Sequence, residues 1–456
     1  MRLPDGFEER IAELLGEDTP LFLKAMDEAP VKGVRVNRIK SAEAPDLGSR
    51  GFTLTPLSYL DCGYILEGEG IGNTPEHHAG MIYSQDPGAM AALGAVKIRP
   101  GSAVADLCAA PGGKASFLAE RVGEGGSLLA NEYVPKRAKI IVSNFERLGI
   151  GNALVTSLDT AVLASMYDSH FDLVLCDVPC SGEGMFRKSD EAVNEWSVEN
   201  VTACAERAHG ILNNGAKMVA PGGHLLFSTC TWSTEENEEQ VIRFLDSHPN
   251  FSLVAVEDAL RAATADGIVI NGRSELALTR RCYPHITKGE GQYIALFKKE
   301  AGERPKQTIL YKDSTKPLTR DEKAAVDKFF ASTLLHKPEG RICRVGENVV
   351  LIPHSLPIPS RGVFASGILL GEIRGNMLHP SHHLVMALGH EFIRKEELAD
   401  GSDRLDRYLR GEEISASDPA LSGYVSVCYR GAALGLGKAS GGVIKNHYPK
   451  GLRLRQ

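Results

Sequence analysis

Two cysteines close strand-like apolar runs in this sequence. FDLVLC leads into Asp177-Val178-Pro179-Cys180-Ser181-Gly182-Glu183-Gly184, and GHLLFSTC ends on Thr229-Cys230-Thr231. Thiolate is the best side-chain nucleophile near neutral pH. If the two strands are neighbours, Cys180 and Cys230 open on the same end of one sheet. The chemistry that needs a thiol there is methylation at an unreactive ring carbon. Cytosine C5 is not nucleophilic enough to attack a sulfonium. A thiolate that adds at C6 makes C5 enamine-like, and an acid near the base can donate to N3. The C5 proton must then be removed and the thiol expelled. Cysteine is also among the most buried residue types, and Cys62, Cys108, Cys176, Cys204, Cys282, Cys343 and Cys428 read as packing.

A methyl donor needs its own place, and the segment Ala105 to Lys114, ADLCAAPGGK, offers one between a buried strand and a helix. Its glycines and small residues let a ligand approach the backbone, and a helix N-terminus offers free N–H groups. The next strand ends in Asn131-Glu132, where doubly wound folds commonly hold a ribose diol. Asp159 and Asp177 close two further strands. Neither a G-x-G-x-x-G fingerprint nor a phosphate-loop spacing is present. A nucleoside without a pyrophosphate fits better, S-adenosylmethionine above all. His77-His78 and the group His379, His382 and His383 lack a cysteine or acid at ligand spacing, so no metal is expected.

These groups require strands that deliver them to one edge. Over 86–299 strand and helix patterns alternate, which predicts an α/β domain with a mostly parallel sheet and helices on both faces. Strands are expected at SAVADLC, GSLLANE, NALVTS, FDLVLCDV and GHLLFSTC, with later strand-like pieces at FSLVAV, TRRCYPHI and GQYIALFKK. Helices are expected at KASFLAERV, PKRAKIIVSNFERLG, Ser197 to Met218 and TEENEEQVIRFLDSH. Residues 1–85 hold two helical stretches and the strand KGVRVNRIK. There Arg35, Arg38 and Lys40 alternate with apolar residues, as a solvated strand face or an RNA contact would. Residues 300–320 look like a linker, and 321–456 an α+β region.

The 456 residues are 43% hydrophobic and 24% charged, which excludes a disordered or collagen-like chain. No run reaches the ~18 apolar residues of a spanning helix, and the acidic start lacks a signal-peptide core. The chain therefore reads as cytoplasmic, with no membrane association, its thiols reduced. The net charge of -7 hides an asymmetry: residues 301–456 hold 23 bases against 17 acids, which leaves -13 for residues 1–300. From Arg430 onward there is no acid, only Arg430, Lys438, Lys445, Lys450, Arg453 and Arg455. Either a solubilising tail or a phosphate-contacting surface has this composition.

DLCAAPGGK, NE, DVPCSGEG, STCT and the acidic TEENE run, in this order, resemble the Nol1/Nop2/Sun family of RNA cytosine-C5 methyltransferases over roughly residues 30–300. The resemblance implies a Rossmann-like S-adenosylmethionine methyltransferase domain behind a small RNA-recognition-like N-terminal region. It implies that Cys108, Ala109, Ala110, Pro111, Gly112, Gly113 and Lys114 form the cofactor loop. Glu132 would hold the ribose, Asp159 would sit by the adenine, and Asp177 would face cofactor and base. Cys230 would be the nucleophile, Cys180 would help release product, and Lys114 would reach the base. QDPGAM stands where many members have QDxxS, so a serine there is replaced by glycine or alanine. HPSHHLVMAL and GLGKASGGVIKNHYPKGLR resemble the C-terminal part of bacterial RsmF-type 16S ribosomal RNA methyltransferases, which ends in a PUA-like RNA-binding module. The expected partner is ribosomal RNA or the small ribosomal subunit, and the expected state a monomer. A transfer RNA substrate, a non-catalytic assembly factor and a small-molecule methyltransferase are the alternatives.

Overall fold

Continuous apolar runs such as SLLAN make strands that are buried on both faces, the signature of a covered parallel sheet. The computed structural model describes residues 3–304 and 314–454. Four antiparallel strands come first: β1 (Lys32–Val36), β2 (Thr53–Pro56), β3 (Gly63–Glu67) and β4 (Ile82–Ser84), in the order β2-β3-β1-β4. The central sheet follows. Its parallel core is β5 (Ala103–Asp106), β6 (Ser127–Asn131), β7 (Ala153–Thr156), β8 (Phe171–Asp177) and β9 (Val219–Thr229), ordered β9-β8-β5-β6-β7. Strand Gln292–Lys299 returns antiparallel against β9.

Alternate residues of each strand face opposite layers. Val104, Leu128 and Ala130 join Phe117, Leu118, Ile141 and Phe145 of helices Gly113–Val122 and Pro135–Leu148. Ala105, Leu129 and Leu154 join Leu163, Leu212 and Phe244 on the other side. Each such leucine contributes about 1.5–3 kcal/mol through burial. The chain builds β5, β6 and β7 outward, then crosses back to lay β8 on the other side of β5. The reversal opens a crevice at the carboxyl ends of β5 and β8, where doubly wound sheets bind ligands.

Four expectations need correction. Arg35 lies on β1 but is 1% exposed; its guanidinium donates to Ser116 Oγ at 2.6 Å and pairs with Glu120 at 3.3 Å. Lys40 lies beyond the strand and donates to Met386 O. Both are packing cations, neither solvated strand face nor RNA contact. Second, the helix expected from TEENE begins only at Glu238; Glu236, Asn237 and Glu238 are fully buried. Third, TRRCYPHI is strand only over Arg280–Cys282 and turns helical at Pro284–Thr287. Fourth, the third region is not confined to its own sheets: strand Val363–Ser366 pairs antiparallel with β7 and extends the central sheet at its edge. Within the expected linker, Lys316–Pro317 pairs with Arg341–Val345, while 305–313 lie outside the described residues.

Helices Phe7–Leu15 and Thr19–Asp27 pack their aromatic faces on the central domain. Phe7 meets Phe186 at a centroid distance of 5.1 Å, and Phe22 meets Trp232 at 4.8 Å. They roof the turn that follows Cys230.

Candidate active site

β5 ends on Asp106, and the loop to helix Gly113–Val122 lies across the crevice. Gly112 has φ 110°, a conformation open to glycine and costly for other residues. No side chain caps the helix, which leaves its first N–H groups without a side-chain partner. Asn131 fixes the loop. Its side-chain amide donates to Leu107 O at 3.2 Å and Leu158 O at 3.0 Å, and its Oδ1 accepts from Thr156 Oγ1 at 2.8 Å. One side chain thus ties together the carboxyl ends of β5, β6 and β7.

Three carboxylates border this crevice. Glu132 is buried, accepts the Val134 N–H at 2.9 Å and pairs with Arg137 at 3.3 Å. Asp159 caps helix Thr160–Met166, accepting the Ala161 N–H at 2.7 Å. Asp106 is 1% exposed, and its Oδ2 has no partner. Burial, then the nearby Asp177 charge, push its carboxyl up to about 8. A buried acid with an unmet oxygen, beside a glycine loop and uncapped helix N–H groups, matches the polar groups of an aminoacyl nucleoside, and S-adenosylmethionine fits here.

The cysteine turns adjoin it. β8 and β9 are parallel neighbours in register, with Asp177 opposite Ser228. Their turns bring Cys180 Sγ and Cys230 Sγ to 3.1 Å, and the Cys230 N–H donates to Cys180 Sγ at 3.2 Å. The hydrogen bond with Cys230 and then burial hold the Cys180 thiol well above its ordinary range, which favours its S–H form. Lys114 Nζ lies 2.8 Å from Asp177 Oδ2. Burial opposes its charge, but the Asp177 carboxylate outweighs it and raises the ammonium above its usual value. Gln292 Nε2 donates to Asp177 Oδ1 at 3.3 Å and also to Ser228 Oγ. Asp177 is thereby held between two donors, beside both sulfurs.

Acids buried behind the cysteines shape these turns. Glu183 accepts the N–H groups of Trp232 at 2.7 Å and Ser233 at 3.0 Å, and Trp196 Nε1 at 3.0 Å. Glu236 accepts the Ser181 N–H at 2.9 Å, and burial pushes its carboxyl to about 7. The Ser181 and Thr231 hydroxyls meet at 2.9 Å, linking the residues that follow the two cysteines. Glu238 and Arg281 form a bidentate pair, Nε to Oε1 at 2.7 Å. Sequence reading missed Asp106, Asn131, Gln292 and these glutamates. Asp106, Asn131, Glu183, Glu236 and Glu238 stand inside the motifs that pointed to the site, and Gln292 does not.

The basic C-terminus divides. Arg430 donates to Asp46 O at 3.0 Å and pairs with Asp400 at 3.3 Å, and Arg453 donates to Tyr448 O at 3.3 Å. The Arg430 guanidinium ties the module to the first region, and that of Arg453 braces the module's own chain. Lys438, Lys445 and Lys450 are exposed. Arg455 lies outside the described residues. His382 and His383 are buried, and desolvation lowers them to about 3 and about 4. Among the described residues no helix is long and apolar enough to cross a membrane.

A doubly wound sheet with this crevice defines an S-adenosylmethionine-dependent methyltransferase. The model of 16S rRNA methyltransferase RsmB/F matches residues 94–298; those of the RsmF N-terminal domain and the RsmF PUA domain match 3–87 and 395–454. Ribosomal RNA small subunit methyltransferase F of Vibrio campbellii is 31% identical, over 99% of this chain and 97% of its own. The enzyme of that name from Erwinia tasmaniensis is 28% identical, over 98% and 96%. The chain belongs to the RsmB/F family of 16S ribosomal RNA methyltransferases. Among solved structures, a methyltransferase homologue from Pyrococcus horikoshii aligns with TM-score 0.56 and 28% identity, over 64% of this chain and 93% of that one. NSun6 from the same organism, solved with the S-adenosylmethionine analogue SFG, aligns with TM-score 0.56 at 18% identity, over 65% and 98%.

Proposed function

We propose that this protein methylates C5 of cytosine in 16S ribosomal RNA, through a covalent bond between Cys230 and cytosine C6. The observation that carries this is the sulfur pair, 3.1 Å apart at the ends of neighbouring strands and beside the Lys114–Asp177 pair. S-adenosylmethionine supplies the methyl group as a sulfonium. Cys108 to Lys114, Glu132 and Asp177 hold it; Asp159, engaged as a helix cap, borders the adenine side.

Cys230 thiolate adds at C6, and the electron pair displaced from the C5–C6 bond moves into the ring. Lys114, a fixed donor next to Asp177, stabilises the charge that builds on the N3 side of the base. Asp177, aligned by Lys114 and Gln292, fixes the plane of the ring. After C5 has taken the methyl group, its proton passes to solvent water, the C5–H electron pair re-forms the C5–C6 double bond, and the C6–sulfur bond breaks with its pair returning to Cys230. Cys180, kept protonated by its hydrogen bond and its burial, offers S–H to the departing thiolate. That is a release role.

The target base reaches the crevice from a loop, or flipped out of its stack. The exposed Lys438, Lys445 and Lys450 would contact phosphates and orient the RNA. One chain carries the cofactor loop, both cysteines and the basic module, which supports a monomer acting where small subunits are made, in the cytoplasm. Purified protein, labelled S-adenosylmethionine and 16S ribosomal RNA should yield labelled 5-methylcytosine, and Cys230→Ala should give none. Label in transfer RNA alone, or a fully active Cys230→Ala, would refute the reading.

A further inference from the structure

Tyr133 follows the ribose-side Glu132, yet it is 70% exposed. Beside it Val134 and Ile140 are 41% and 47% exposed, and Lys136, Arg137 and Lys139 are exposed as well. Between 133 and 140 there are three cations and no acid. The third region adds a fourth cation. Ser157 Oγ donates to Tyr133 O at 2.9 Å, while Ser157 N donates to Gly362 O at 2.7 Å, which brings the exposed Arg361 to the same rim. The joining of Val363–Ser366 to β7 places it there. Arg137 is partly committed, to Ala110 O at 3.3 Å and to Glu132. The other three cations extend the surface outward from the cofactor loop.

We infer that Tyr133, Lys136, Lys139 and Arg361 form a platform for the single-stranded RNA flanking the target cytosine. A base stacks on Tyr133 and the adjoining phosphates meet the cations. An exposed aromatic ring among cations suits nucleic acid, because every base has a stacking face and every nucleotide a negative charge. The location agrees. The platform stands at the carboxyl end of β6, two strands from β8 and so about 10 Å across the sheet from the cysteine edge. This deepens the proposed function and rests on it.

Binding of a 16S ribosomal RNA transcript is measured for Tyr133→Ala, Tyr133→Phe and the double variant Lys136→Ala/Lys139→Ala, with S-adenosylmethionine affinity measured alongside by calorimetry. Tyr133→Ala should weaken RNA binding about tenfold and Tyr133→Phe should restore it. The double variant should flatten the dependence of log affinity on log salt by about 1.4. Cofactor affinity should be unchanged in all three. Wild-type RNA affinity in Tyr133→Ala, or a loss of cofactor affinity with RNA binding intact, overturns the platform. A wild-type protein that neither binds nor methylates this RNA overturns the functional reading, and the platform with it.

Discussion

Asp106 is the site's buried acid, and burial keeps its carboxyl protonated near neutral pH. Its carboxyl stands at about 8 in the folded protein, against about 4 in an unfolded chain. Between those values the folded protein keeps a proton that the unfolded chain has released. Stability from this group therefore falls as pH rises from about 4 to about 8. Asp106→Asn cannot ionise, so its stability relative to wild type should climb across that window in denaturant titrations. A difference that does not vary with pH would contradict the burial of this carboxyl. The residues most legible in the sequence were those whose roles are local. DLCAAPGGK announces a glycine turn opening a helix, and Cys180 and Cys230 each end an apolar run. The buried acids were illegible for the converse reason. A run such as TEENE looks solvated until its partners, Arg281 and the backbone N–H of Ser181, arrive from elsewhere in the chain.

The two cysteine turns work as one element. Gly184 N donates to Cys230 O at 2.8 Å, and a Cβ on Gly184 would stand 2.8 Å from that oxygen and from the backbone of Gly291. Neither neighbour is a side chain that could swing away. Gly184→Ala must therefore shift the turn that carries Cys230, the proposed nucleophile, at about 1–3 kcal/mol of stability. Its kcat should fall while S-adenosylmethionine affinity holds, because the cofactor loop belongs to β5 and β6. Steady-state kinetics with calorimetry reads both, and a wild-type kcat would show that the turns move independently. Strand periodicity revealed the elements that carry the site, since five buried runs alternate with helices. It could not reveal Gln292, which returns to Asp177 on an antiparallel strand 115 residues later.

At the scale of the whole molecule, the flanking regions are built into the catalytic one. The N-terminal helices roof the Cys230 turn, and Val363–Ser366 extends the central sheet. Glu76, fully buried, accepts the Tyr429 hydroxyl at 2.8 Å and pairs with Arg50 at 3.3 Å, which joins the first sheet to the C-terminal module. Composition marked where these regions begin and gave no sign of such joints, because a four-residue strand or a single buried acid has no periodicity. The purpose assigned to the crevice is a covalent step. Cys180→Ala, incubated with S-adenosylmethionine and 16S ribosomal RNA and run on a denaturing gel, tests that step most directly. The account predicts a protein–RNA band that disappears in Cys180→Ala/Cys230→Ala; a band that persists in the double variant would contradict it.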